Sequence, residues 1–206
     1  MKTKLVMIRH GETESNKRGA YLGCRSDEPL SEQGRAEAEA LAGKLSGILT
    51  GEICWYASPM KRAVETARIL MGGAGELRIE PLLKEIDFGL FDGKNHAELD
   101  GDPRYQAWID SGATIAFPEG ESRDSFIARS MEGLKAVLER TDPASGQTIV
   151  LICHGGTIMS LMSALNGGDY YDYRVSCLDG YIAELEKHDT TLSILTFTRL
   201  RDRLYP

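Results

Sequence analysis

Residues 147–153, QTIVLIC, constrain the fold more than any other stretch of the chain. From Ile149 to Cys153 the run is continuously apolar, with no polar residue at alternate positions. That pattern belongs to a strand covered on both faces, as in the interior of a parallel sheet. Residues 3–9, TKLVMIR, read the same way, and 53–57, ICWYA, form a third short apolar run. Parallel strands need long crossovers, and helical patterns stand where crossovers are required. From Ser31, a plausible N-cap, SEQGRAEAEALAGKLSGIL carries Ala and Leu at helical spacing. Pro59 precedes MKRAVETARILM, which the glycines of GGAG close. Residues 122–139 return to helical spacing, and Gly155-Gly156 leads into TIMSLMSAL. Residues 77–80 read as a short strand. GYIAELEKHDTTLSILTFT reads as two strands around a turn at His188-Asp189-Thr190. The expected fold is α/β: a mostly parallel central sheet with helices on both faces and an antiparallel edge. Residues 87–121 are polar, glycine-rich and weakly periodic. They are expected as loops and short helices forming a cap within a single domain, 1–206.

Bulk properties narrow the function. The net charge is −7, with no basic arm or Lys/Arg-rich patch, so nucleic acid is an unfavourable partner. An anionic small substrate remains compatible, because a few focused arginines override net charge locally. No apolar run is long enough for a bilayer span, and MKTKLVMI is too short in its apolar part for a signal peptide. Cys24, Cys54, Cys153 and Cys177 form no CxxC pair, which argues against a cysteine zinc site. A cytoplasmic location with reduced thiols is expected. The sequence leaves the oligomeric state open, a dimer included; the tyrosines at 170, 171 and 173 fit an interface or a loop.

Ligands in open α/β sheets bind beyond the carboxyl ends of the strands. Two of the four histidines, His10 and His154, directly follow buried strands and precede glycine. Glycine lets backbone N–H groups approach a ligand closely, and at a helix start those groups favour an anion. Arg9 adjoins the first histidine. Arg62 falls in the first turn of a helix, where a cation has the wrong sign for the helix dipole. A solvated surface arginine is the plain alternative for Arg62; a grip on an anion is the functional one. A guanidinium fork matches two phosphate oxygens at once. Cys153 lies inside the buried run and reads as core. His96 reads as solvated, His188 as a turn residue and Asp100-Gly101-Asp102 as a turn. No cysteine is followed six residues later by arginine, and no GxxxxGK[ST] loop is present.

The sequence resembles the histidine phosphatase, or phosphoglycerate-mutase-like, superfamily. The matching pieces are RHGETESN (9–16), YLGCRSDEPLSEQG (21–34), ASPMKRAVETA (57–67), LLKEIDFG (82–89), FPEGES (117–122) and CHGG (153–156). The resemblance implies a nucleophile at His10 that forms a phosphohistidine. It implies Arg9, Arg62 and His154 as phosphoryl ligands, with Asn16 and the Gly155 N–H as further donors. Glu85 would be general acid and then base, and should be shielded or close to the substrate's own charge, either of which raises its pKa. Leu22 and Gly23 would face the substrate through their backbone, since Leu22 stands where relatives often carry a polar side chain. No metal or cofactor is implied, and the partner is a small phosphorylated metabolite.

Among subgroups, mutases carry adjacent arginines that hold a substrate carboxylate. Residues 86–121 here contain Arg104 alone. The shorter pattern is similar to small bacterial phosphatases of the α-ribazole-5′-phosphate type in cobalamin biosynthesis. Broad-specificity sugar-phosphate or nucleotide phosphatases, and the mutases, stand as alternatives. A non-catalytic phosphate-binding module is a further one, although the full set Arg9, His10, Arg62, Glu85 and His154 is present.

Overall fold

The computed structural model describes residues 2–73, 75–141, 147–188 and 191–205. Six strands form one sheet: β1 (Lys2–Arg9), β2 (Ile53–Ala57), β3 (Leu77–Ile79), β4 (Thr148–Cys153), β5 (Gly180–His188) and β6 (Thr191–Arg199). Their spatial order is β3-β2-β4-β1-β5-β6. β1, β2, β3 and β4 run parallel, while β5 pairs antiparallel with β1 and β6 with β5. The expected antiparallel edge is therefore two strands wide. Asp189 and Thr190 of the expected turn lie outside the described residues.

β4 sits between β1 and β2, and every one of its residues is buried, as its apolar run demands. Alternation sorts its side chains between two cores. Leu5, Met7, Ile149, Leu151 and Cys153 face α6 (Arg123–Glu139) and α7 (Gly155–Asn166). Val6, Ile8, Val150 and Ile152 face α2 (Glu32–Leu45), α3 (Lys61–Met71) and α8 (Leu200–Leu204). Two sets of covering helices explain why no polar alternation was possible. Cys153 is core, and burial pushes its thiol pKa up.

Helix ends follow the local signals. Ser31 Oγ accepts from Gly34 N–H at the start of α2, and Ser122 Oγ caps α6. α3 begins at Lys61 after Met60 and ends at Gly72, whose φ of 60° is the left-handed closure that glycine permits. Residues 87–121 hold a 3-10 turn (Gly89–Phe91), α4 (His96–Leu99) and α5 (Pro103–Asp110). They bury Phe91, Leu99, Tyr105 and Phe117 against Ile86 and Phe126, a third apolar cluster apart from the sheet. Short elements left unread in the sequence are α1 (Glu14–Lys17), α8 and 3-10 turns at Pro81–Leu83 and Tyr170–Tyr173. Among the described residues no helix is long and apolar enough to cross a membrane.

Candidate active site

The site grows out of the carboxyl edge of β1, β4 and β2. His10 N–H donates to Cys153 O at 3.0 Å, and Ser58 N–H donates to Ile152 O at 2.9 Å. These bonds carry the parallel ladder one step past the strands. They bring His10, His154 and Ser58 side by side from three distant parts of the chain. The His10 and His154 rings lie 5.1 Å apart at 63°. Gly11 N–H donates to Thr66 Oγ1 (3.0 Å), and that hydroxyl donates to Arg62 O (2.7 Å), which ties the first strand's end to α3.

His10 is 3% exposed, and its Nδ1 lies 2.7 Å from Gly11 O. A carbonyl only accepts, so Nδ1 carries the hydrogen and Nε2 keeps the lone pair. Burial, then the charges of Arg62 and Arg9, hold the His10 pKa well below its usual value. Its imidazole is neutral at neutral pH. His154 is fully buried with Nε2 2.7 Å from Ser58 Oγ, and burial followed by Arg62 lowers its pKa in the same way.

Arg62 is also fully buried, so the solvated-surface reading of it fails. Its Nη1 donates to Ser26 O (3.0 Å), and its Nη2 donates to Gly23 O (3.0 Å) and Leu22 O (3.3 Å). Those carbonyls offset the unfavourable helix-start position. Leu22 and Gly23 thus hold Arg62 through their backbone carbonyls, and the Leu22 side chain is buried. Gly23 cannot carry a side chain, because a Cβ there would overlap Ile86 O, Phe88 and Asp92. Arg9 donates from Nη1 to Val175 O at 2.9 Å. Asn16 Oδ1 accepts from Thr13 N–H (3.3 Å) in a capping box at α1, which makes the other end of its amide the donor. Three buried nitrogens here lack any partner among the described residues: Arg9 Nε, Arg62 Nε and His154 Nδ1. Buried donors are rarely left unpaired, so the two guanidinium N–H groups, Arg9 Nε and Arg62 Nε, mark a place for an acceptor-rich group.

Glu85 is 7% exposed and accepts from Ile86 N–H (2.9 Å, Oε1) and Gly156 N–H (3.0 Å, Oε2). Burial raises its pKa and outweighs the lowering by these bonds and by Arg62 and Arg9. Glycine was expected here for close approach of a ligand; at Gly156 the close neighbour is Glu85, and a Cβ would overlap Glu85 Oε1 and press on Phe126. A Cβ on Gly155 would meet Arg9 Nε at 3.6 Å, an ordinary contact. Gly156 N–H goes to Glu85, while Gly155 opens α7 beside Arg9.

Sequence reading missed the clamp behind Glu85. Arg129 donates to Glu121 Oε1 (2.8 Å) and Oε2 (2.7 Å). It also donates to Leu82 O (2.6 Å), Lys84 O (3.0 Å) and Glu85 O (3.4 Å). Glu121 Oε2 accepts in turn from Asp87 N–H (2.9 Å), so one guanidinium joins α6 to both stems of residues 87–121. Beside Glu85 and Gly156 lies a cavity of about 290 Å³. Its aromatic walls include Tyr21, Phe88, Trp108, Phe117, Tyr170 and Tyr171. Tyr170 Oη donates to Gly156 O at 3.2 Å. His96 is exposed, with Nδ1 3.1 Å from Tyr105 Oη, and it does not line this cavity. Among the described residues no group of His, Cys, Asp or Glu side chains is arranged to hold a metal. The positive charge at the site comes from Arg9 and Arg62.

Residues 5–199 match the family model of the histidine phosphatase superfamily, branch 1. The chain belongs to that superfamily. This histidine phosphatase is 36% identical over 174 residues to glucosyl-3-phosphoglycerate phosphatase of Mycobacterium tuberculosis, covering 79% of this chain and 74% of the relative. It is 32% identical over 169 residues to a 2,3-bisphosphoglycerate-dependent phosphoglycerate mutase of Rhizobium etli, covering 78% and 79%. In structure it is similar to the α-ribazole phosphatase of Shigella flexneri, with TM-score 0.77, 25% identity and coverage of 93% and 94%. The fold is that of the phosphoglycerate-mutase-like proteins, and the activity class is phosphatase.

Proposed function

We propose that this phosphatase hydrolyses a small phosphomonoester through a phosphohistidine at His10. One observation carries the reading: a neutral His10 with its hydrogen pinned on Nδ1 stands among the unpartnered Arg9 Nε, Arg62 Nε and His154 Nδ1. In the first step the Nε2 lone pair attacks phosphorus, and the bond to the leaving oxygen breaks. Protonated Glu85 gives its proton to that oxygen. In the second step the Glu85 carboxylate takes a proton from water, which attacks phosphorus, frees inorganic phosphate and restores His10. Two easier steps replace one hard step. Arg9 and Arg62 hold the equatorial oxygens with preorganised charge, and His154, Asn16 and Gly155 N–H add donors. The raised pKa of Glu85 suits an acid that must keep its proton until transfer.

Residues 87–121 act in this reading as a cap that selects the leaving group. The aromatic cavity beside Glu85 supports a leaving group with a flat or apolar body. α-Ribazole 5′-phosphate fits that wall chemistry and matches the name of the Shigella neighbour. A second reading, an ester whose leaving group carries an acid, matches the names of the mycobacterial relative and the mutases. It is favoured by two arginines in the cavity wall, considered below.

The test is phosphate release with EDTA present from α-ribazole 5′-phosphate, 3-phosphoglycerate, fructose phosphates and nucleoside monophosphates, by wild type and His10→Ala. Turnover lost in His10→Ala is the expected result, and the preferred ester names the substrate. Turnover retained in His10→Ala would end the phosphohistidine reading.

A further inference from the structure

Arg123 is the first residue of α6, and Arg174 directly follows the 3-10 turn Tyr170–Tyr173. Both line the cavity that holds Glu85 and Gly156 in its wall. Each guanidinium lies over a tyrosine ring. Arg123 Cζ is 5.8 Å from the Tyr170 centroid, and Arg174 Cζ is 5.6 Å from that of Tyr171. A cation–π contact of this kind leaves the N–H groups of the guanidinium available.

What sets these two apart is that they are unpaired and also line the cavity wall. Acidic residues outnumber basic ones, 31 to 24, and eight other arginines form ion pairs. Among the described residues neither Arg123 nor Arg174 has an ion pair or a side-chain hydrogen bond. Arg123 also sits at the positive end of a helix, as Arg62 does, where a cation is disfavoured. Two unpaired arginines from separate elements line the candidate leaving-group cavity, each against one of the adjacent rings Tyr170 and Tyr171. Arg9 and Arg62 belong to the proposed phosphoryl site and are not among the residues lining this cavity, so Arg123 and Arg174 are its arginines.

Resting on the hydrolase reading above, we propose that Arg123 and Arg174 form an anion subsite for an acidic group, such as a carboxylate, on the leaving group. The substrate class is then a phosphomonoester with a second negative charge beside an apolar or flat body. α-Ribazole 5′-phosphate can use the ring walls but has no acid on its leaving group, so it leaves both arginines unused. A glycerate-type ester uses both. The arginine pair also gives an acidic protein a local positive field that draws such dianionic and trianionic esters to the cavity.

The test uses a pair of esters that differ only in the acid: 3-phosphoglycerate and glycerol 3-phosphate. Binding is measured by titration calorimetry on His10→Ala, which holds the ester without turnover, with and without Arg123→Gln and Arg174→Gln. A charged hydrogen-bonded contact is expected to favour 3-phosphoglycerate by about tenfold or more. That ratio should fall toward one in the double variant and shrink with added salt. Arg174→Lys keeps the charge without the fork and should retain part of the preference. Equal binding of the two esters, or a preference untouched by both arginine substitutions, would overturn the subsite. Phosphate release by the wild-type enzyme is scored separately: its absence from every ester would sink the hydrolase reading while the binding ratio still decides the subsite.

Discussion

Gly156→Ala isolates the link between the backbone of α7 and the acid. Gly156 is buried at the second residue of the helix, and its φ is not in the left-handed region, so alanine can adopt the backbone. Helix propensity alone favours alanine by about 1 kcal/mol. Against that, the new methyl overlaps Glu85 Oε1 and meets Phe126 Cε1 at 3.0 Å. Phe126 is fully buried and has little room to retreat. Overpacking of this type costs about 1–3 kcal/mol. The net loss of stability is then about 0–2 kcal/mol, small enough for a folded enzyme. The catalytic effect is larger. Glu85 must move by roughly an ångström, enough to lose its bond from Gly156 N–H, and a displacement of about 1 Å costs about 10²-fold in rate. Hydrolysis of the phosphohistidine is common to all esters, so leaving-group protonation is read in kcat/KM, where an alkyl phosphate should lose about 10²-fold. An aryl phosphate with a good leaving group should lose far less. Gly155→Ala, whose methyl meets Arg9 at an ordinary distance, is the matched control for a methyl at the start of α7. Steady-state kinetics on both esters and a urea melt settle the matter. Wild-type kcat/KM on the alkyl ester, or an equal loss of kcat/KM on both esters, would refute the reasoning.

Other consequences can be checked in parallel. The pH–rate profile should rise at a pH well below 6.5, where buried His10 loses its proton, and fall above the usual carboxylate range as Glu85 ionises. Glu85→Ala should delete the falling limb, and a limb that survives would assign it elsewhere. Removing the acid should cost about 10²–10⁴-fold on an alkyl ester. Arg129→Ala strands Glu121 and the carbonyls of Leu82 and Lys84 and should cost about 3–5 kcal/mol in urea unfolding. A loss below 1 kcal/mol would mean the clamp is relaxed in solution. The raised Glu85 pKa also bears on stability. The folded state binds its proton more tightly than the unfolded state, so this group's contribution is present below the unfolded carboxyl pKa and is lost as pH rises through the folded one. Glu85→Leu should therefore flatten part of the decline in stability above that range, measured by urea midpoints from pH 4 to 8.

The parts of the molecule legible in sequence are those where local chemistry suffices. TIVLIC had to be a central strand because it has no polar face, and helices cover both of its sides. His10 and His154 were placed by one rule: a polar residue and a glycine directly after a buried strand lie at the sheet's carboxyl edge. Burial of Glu85 was expected from the chemistry of an acid. What stayed hidden depends on distant residues meeting. Ser58 is 96 positions from His154, and Arg129 is 44 from Glu85. Nothing in SPMKRA or FIARS announces those partners. Arg123 and Arg174 were missed for another reason. Both lie outside the cap segment in sequence, and only the fold brings the start of α6 and the turn after α7 to the same cavity. Gly155 and Gly156 looked equivalent in sequence, and only the position of the Glu85 carboxylate separates them.

The central claim is that a phosphoryl group passes through His10. The most direct measurement mixes enzyme with excess ester, quenches in alkali within milliseconds to protect an acid-labile N–P bond, and maps the phosphoryl group by mass spectrometry. The account predicts phosphorylation of the peptide containing His10, at Nε2, and none in His10→Ala. Rapid phosphate release with no phosphoenzyme at any quench time, or a phosphoryl group on His154 instead, would contradict it.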